Sequence, residues 1–191
     1  MNKKAVVLLA EGFEEIEALS VVDILRRAGV ECKMCSISGE MRVKGGHGIE
    51  VVADMVIGGL TPHGIDAVIL PGGLLGAKNL KESLETSRLI SECDESKSII
   101  IAAICAAPIV IEALGVLAGR KATSYPGSLE QPMSCDYVDD KLCVVDGHVI
   151  TSRGPATVPF FAFEILAGLG LQDKADALKE GMMYNFMASC F

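Results

Sequence analysis

Cys105 stands where an apolar stretch, 99–104, gives way to Ala106, Ala107 and Pro108. Proline is favoured in the first turn of a helix, so a strand ends and a helix begins within very few residues. Ala103, Ala106 and Ala107 let the backbone fold sharply there. A nucleophile at the apex of such a strand-to-helix turn has the layout of a nucleophile elbow. Its thiol would meet aligned backbone N–H groups, which favour thiolate and lower the pKa. The plainer alternative is a cysteine that simply packs in an apolar run. The segment alone leaves both readings open. Glu17 is the second candidate. A helix over 13–28 carries Val21, Ile24, Leu25 and Ala28 on one face, and Glu17 falls on that same inward face. A carboxyl buried there needs a partner or a proton, and burial raises its pKa. It could donate a hydrogen bond to a Cys105 thiolate or move a proton during a reaction. Glu15 falls off the face, and Glu14 and Glu15 are read as helix-dipole stabilisers. Gly72 and Gly73, after a strand at 65–70, free backbone N–H groups to face a ligand. With the Ala106 N–H they could form an oxyanion hole, although an ordinary Pro-Gly turn is the competing reading.

Several classes of function are excluded. The chain has 191 residues, a net charge of −8 and 50% apolar residues. That much apolar content is incompatible with disorder, and the acidic balance argues against a nucleic-acid surface. The longest apolar run, 99–111, is shorter than the ~18 residues a spanning helix requires. The start resembles a leader, but Glu11 cuts its apolar stretch short, so a cytoplasmic protein with mostly free thiols is expected. Neither a dinucleotide fingerprint nor a P-loop or H-E-x-x-H motif occurs, and no cofactor or metal is expected. Cys32 and Cys35 form a C-x-x-C, but residues three apart on a strand point to opposite faces, so both are read as packing residues. His47, His63 and His148 lie in or beside turns and are expected to be solvated.

The elements that must position these residues alternate. Strands are expected at 4–10, 31–37, 49–53, 65–70, 98–104 and 121–124, with a hairpin of 142–145 and 148–151 about Asp146 and Gly147. Helices are expected at 13–28, 82–93, 106–114, 156–167 and 173–187. This order indicates a doubly wound α/β sandwich, with sites at the carboxyl ends of its strands. The mean hydropathy of +0.42 then reflects central strands covered on both faces, together with an oligomer surface.

Four strand ends taken together resemble the ThiJ/PfpI (DJ-1/PfpI) superfamily, and within it the DJ-1/ThiJ branch. They are residues 11–17 (EGFEEIE), 70–80 (LPGGLLGAKNL), 101–108 (IAAICAAP) and 151–157 (TSRGPAT). The resemblance covers essentially the whole chain, 1–191, as one domain. It implies a flavodoxin-like fold, a homodimer, Cys105 as the reactive elbow cysteine and Glu17 as the acid touching it. It also implies an oxyanion site from the Gly73 and Ala106 amides, and Arg153 near the site and dimer interface. The branch is associated with glutathione-independent glyoxalase and protein deglycase activity, oxidative-stress sensing and chaperone-like behaviour. The partner so implied is a small reactive carbonyl or a glycated protein. Two departures stand out. Many members have Thr-His-Pro where this chain has Ser124, Tyr125 and Pro126, and Tyr125 can donate a hydrogen bond but is a poor base at neutral pH. The intracellular-protease branch has histidine where Ala106 stands, so a peptidase is disfavoured. The rival to an enzyme is a redox sensor or chaperone-like dimer that works through oxidation of Cys105.

Overall fold

Apolar runs without alternation need cover on both sides, and the strands of this chain have it. A computed structural model describes residues 3–129 and 133–190. Met1 and Asn2, part of the leader-like start, lie outside the described residues. The chain runs β1 (Lys4–Leu9), α1 (Glu15–Arg27), β2 (Glu31–Ser36), β3 (Arg42–Lys44), β4 (Glu50–Val52), β5 (Met55–Val56), β6 (Ala67–Leu70), α2 (Leu74–Glu82) and α3 (Leu84–Ser96). It continues through β7 (Ile100–Ile104), α4 (Pro108–Ala113), β8 (Lys121–Ala122), β9 (Asp136–Tyr137), β10 (Cys143–Asp146) and β11 (Val149–Ser152). A 3₁₀ turn (Pro155–Thr157) leads into α5 (Val158–Gly168), α6 (Gln172–Gly181) and α7 (Tyr184–Ala188).

Seven strands form one sheet in the order β10-β11-β7-β6-β1-β2-β5. Every pairing is parallel except that of β10 with β11, the expected hairpin at one edge. Side chains alternate between two cores. Val7, Leu9, Ile69 and Ala102 face a cluster with Leu25, Phe161 and Leu166 of α1 and α5. Val6, Leu8, Val68, Leu70 and Ile101 face one with Leu89, Ile90 and Ile111 of α3 and α4. The fold is the expected flavodoxin-like α/β sandwich. Cys32 lies in the first cluster and Cys35 in the second, so the C-x-x-C straddles the sheet. The chain leaves β1 for opposite neighbours, β2 and β6, which creates a topological switch point beside the ends of β1, β6 and β7.

Three details differ from the sequence expectation. Residues 74–81, given no element in the sequence expectation, form α2 together with Glu82; Gly76 and Asn79 are weak helix formers and mask the helix in the sequence. Gly76 is there for fit, since a Cβ would lie 2.7 Å from the Phe13 Cα. Ser83 ends α2 in an extended conformation and caps α3, its hydroxyl accepting from the Thr86 N–H at 3.1 Å. The single helix expected over 173–187 divides into α6 and α7, because Met183 adopts a left-handed φ of 66°. His148, expected to be solvated, is instead part-buried, its side chain 8% exposed, and hydrogen-bonded to Asp94 at 2.8 Å.

Helix α3 offers an internal control of the two-core description. Leu89 is fully buried, whereas Leu84 is 83% exposed. Leu89→Ala should cost about 2–5 kcal/mol of unfolding free energy, against less than about 0.5 kcal/mol for Leu84→Ala. Urea denaturation with an unchanged m-value checks the contrast.

Candidate active site

The ends of β1, β6 and β7 lie side by side and carry Gly12, Gly72 and Cys105 in register with the switch point. Cys105 has φ 62°, a left-handed conformation that non-glycine residues adopt only when their surroundings impose it. The surroundings are specific. The Cys105 N–H donates to the Ser152 carbonyl at 3.0 Å, and its carbonyl accepts from the Tyr125 N–H at 2.9 Å. The Ala107 N–H donates to the Ile104 carbonyl at 3.0 Å and closes the turn, with Pro108 opening α4. Cys105 is partly exposed, as an elbow residue must be to react.

Glu17 is 0% exposed. It reaches the site because Glu14 caps α1, its carboxylate accepting from the Glu17 N–H at 2.7 Å, which fixes the first turn. The Glu17 Oε2 accepts from the Gly72 N–H at 2.7 Å. Its side chain faces the Cys105 thiol, and each group shifts the titration of the other. Glu17 Oε1 is buried and meets no donor in full hydrogen-bond geometry among the described residues, although the thiol is close enough for its contact to act on the carboxyl. Gly72 leaves room for this approach. A Cβ there would lie 2.6 Å from Glu17 Oε2 and 2.7 Å from the Cys105 Cβ.

Burial, with a contribution from the Glu14 charge, pushes the Glu17 carboxyl up to about 7 despite the opposing Cys105 and Gly72 contacts. Burial and then the Glu17 charge push the Cys105 thiol up to about 12, although the Ala106 and Gly73 amides act in the opposite direction. This corrects the expectation of a thiol acidified by its helix. Helix α4 is short, and burial, followed by the carboxylate opposite, outweighs it. Near pH 7 the resting pair is therefore a thiol facing a group on the point of losing its proton.

The Gly73 and Ala106 amides both bear on the sulfur. Gly73 needs its left-handed φ of 87°, and a Cβ there would meet the Gly12 carbonyl at 2.4 Å. Tyr125 is 51% exposed and lies beside Gly154, where a Cβ would come 3.3 Å from its ring. Arg153 donates to the Asp139 carbonyl. Among the described residues no hydrogen bond or ion pair joins its guanidinium to Cys105 or Glu17.

Glu15, expected off the inward face, is buried beneath the turn between β3 and β4. Its Oε1 accepts from the His47 N–H at 2.7 Å and its Oε2 meets His47 Nδ1 at 2.7 Å. Burial alone would raise this carboxyl, but the His47 and Ile49 contacts hold it below its ordinary value. Glu14, Glu15 and His47 bring ligand-type atoms within 4.8 Å of one another, yet Glu14 Oε2 and both Glu15 oxygens already have hydrogen-bonding partners. Sequence reasoning also missed the Ser152 hydroxyl, which contacts the Thr157 hydroxyl at 2.7 Å and donates to the Leu142 carbonyl at 2.8 Å. The repeated hydroxyls flanking Arg153 and Gly154 were the available signal.

The family model for the DJ-1/PfpI family matches residues 3–168. The chain belongs to the DJ-1/PfpI family. It is 39% identical over 187 residues to protein dj-1beta of Drosophila melanogaster, covering 97% of this chain and 100% of that one. The crystal structure of Drosophila DJ-1beta superposes with a TM-score of 0.89 at 38% identity, covering 96% and 98%. Deglycase PH1704 of Pyrococcus horikoshii is 32% identical over 155 residues, 80% of this chain and 91% of its own. Oxidized Toxoplasma gondii DJ-1 superposes with a TM-score of 0.86 at 30% identity, covering 95% and 98%. The family includes deglycases, which are enzymes. Among the described residues of this member, no helix is long and apolar enough to cross a membrane.

The buried Glu17 should leave a mark on stability. Its carboxyl keeps its proton up to about 7 when folded, against 4.5 as the ordinary value. Between those values the unfolded chain releases a proton that the folded chain retains, so stability falls as pH rises and levels off above about 7. The loss between pH 5 and 8 should be about 2.5 kcal/mol. Glu17→Gln should remove it, as seen by comparing urea midpoints of parent and variant at the two pH values.

Proposed function

We propose that the protein is a cysteine-dependent enzyme acting on small 2-oxoaldehydes such as methylglyoxal, with deglycation of early protein adducts at the same site. The observation that carries this reading is the buried Glu17 carboxyl facing an elbow thiol over which the Gly73 and Ala106 amides converge. As the sulfur attacks the aldehyde carbon, the S–C bond forms and the thiol proton passes to Glu17. The two amides stabilise the oxyanion, which then takes that proton from Glu17 to become the hydroxyl of a hemithioacetal and leaves Glu17 as the carboxylate. Glu17 then removes the proton on that carbon and returns it to the neighbouring carbonyl carbon, while the hydroxyl proton passes to the neighbouring oxygen through the enediol. The first carbon is oxidised and the second reduced, giving a 2-hydroxyacyl thioester. Water cleaves the thioester to lactate and restores the thiol. A carboxyl titrating near 7 suits both directions of proton transfer. Tyr125, at the rim, contributes a hydrogen-bond donor in place of a histidine, and Arg153 shapes the substrate side of the rim.

A second reading is oxidation of Cys105 to the sulfinate in a redox-sensing or chaperone-like role. It is favoured by the unsatisfied Glu17 Oε1, which, once protonated, would donate to a sulfinate oxygen. In either role we propose a cytoplasmic homodimer. Ile16, Ile49 and Val52 each leave more than half of their surface exposed, which is consistent with an apolar contact between copies.

Methylglyoxal given to the purified protein should yield lactate. Cys105→Ser should yield only background, and Glu17→Gln should lose about 10²–10⁴ in kcat. Equal background from parent and Cys105→Ser would sink the enzyme. Intact mass after mild peroxide tests the second reading, which requires two added oxygens on Cys105. Light scattering on the eluting protein should give twice the chain mass.

A further inference from the structure

A cavity of about 660 Å³ lies between the 44–48 turn and the start of α2. Its lining includes Gly12, Glu14, Lys44, His47 and Leu75, and also Gly73, whose amide bears on the Cys105 sulfur. One wall is thus part of the candidate active site, and the facing wall is the turn between β3 and β4. That turn is short and glycine-rich (Gly45, Gly46 and Gly48), so its own conformational preferences do not fix its place.

Its position is fixed from the side of α1. Both oxygens of Glu15 serve the turn. Oε1 accepts the backbone N–H groups of His47 at 2.7 Å and Ile49 at 3.4 Å, and Oε2 pairs with His47 Nδ1 at 2.7 Å. The Gly46 N–H donates to the Phe13 carbonyl at 2.8 Å, and the Gly12 N–H donates to the Lys44 carbonyl at 2.8 Å. Gly45 packs directly on the Glu15 carboxylate; a Cβ would lie 2.3 Å from Oε1. A carboxylate that is almost completely buried, yet spends every oxygen on one surface turn, is explained by the position it imposes. The proton-transfer scheme makes no use of it.

We propose that Glu15 and His47 are specificity-determining positioning residues: they hold the 44–48 turn against the site and so limit the size of electrophile that reaches Cys105. The substrate class so selected is short, unbranched carbonyl compounds. The inference rests on the reading of Cys105 as the reacting atom, and Glu15 and His47 act only through the backbone they hold.

The test compares two reagents of identical chemistry and different bulk, N-methylmaleimide and N-phenylmaleimide. Their rates are read at the Cys105 peptide by mass spectrometry, since other thiols are present. In the parent the smaller reagent should react faster. His47→Ala should raise the phenyl-to-methyl rate ratio by about tenfold, the size of one charge-assisted hydrogen bond. Glu15→Gln should raise it in the same direction, because the ionic partner of His47 is lost. His47→Asn, whose amide nitrogen can stand where Nδ1 stands, should restore the parent ratio, which a merely structural loss would not do. The His47 side chain is 73% exposed, so His47→Ala keeps the fold and the test stands even where Glu15 variants do not fold. A ratio within about twofold of the parent in His47→Ala would overturn the proposal. Lactate production by the parent is measured separately. Its absence removes the enzymatic reading and leaves the maleimide result intact.

Discussion

An ionisable carboxyl with no cationic partner among the described residues sits at the heart of this protein, and much of the surrounding structure exists to keep it there. Glu17 lies on the face of α1 that packs on the sheet, among Val21, Ile24 and Leu25. A lone carboxyl in such a place is costly. It is tolerated because one oxygen takes the Gly72 amide and the other faces a thiol. Each of these requires something further. The amide is available only because position 72 has no side chain, and the thiol is in reach only because Cys105 is held in a left-handed turn. That turn is held in its place by backbone bonds from β11 and from the segment after β8.

The same constraint decides the chemistry. Thiol acidity in an elbow is commonly ascribed to the following helix. Here burial and a facing carboxylate dominate, and the effect has the opposite sign. In the proposed reaction the sulfur is held back until Glu17, titrating near neutrality, takes its proton. Thiol and carboxyl each shift the titration of the other, so a change to either alters both.

The central strands were plain in the sequence because their apolar runs are continuous, and Glu17 was found because its spacing from Val21 and Ile24 put it on an inward face. Cys105 was found from a strand followed closely by proline. What escaped notice follows a common pattern. Helix α2 was hidden because Gly76, which weakens the helical signal, answers to Phe13 across the interior. Glu15 was read as a dipole residue because its partner, the 45–49 turn, lies about thirty positions away in the chain. His148 was read as solvated because Asp94 lies 54 positions away. Periodicity reports which way a residue points within its own element. It carries no information on which distant segment will arrive to meet it.

The elbow thiol has a different character before the sheet is complete. Glu17, Gly72 and Cys105 come from three separated stretches, and they meet only when β1, β6 and β7 pair. Until then Cys105 is an ordinary solvated thiol with an ordinary pKa, open to any oxidant or electrophile. Closing the sheet removes it from water and couples it to one acid. Folding thus acts as a form of chemical restraint: the nascent chain is the less discriminating reagent, and the native one presents its sulfur only within a tight turn beside a buried acid.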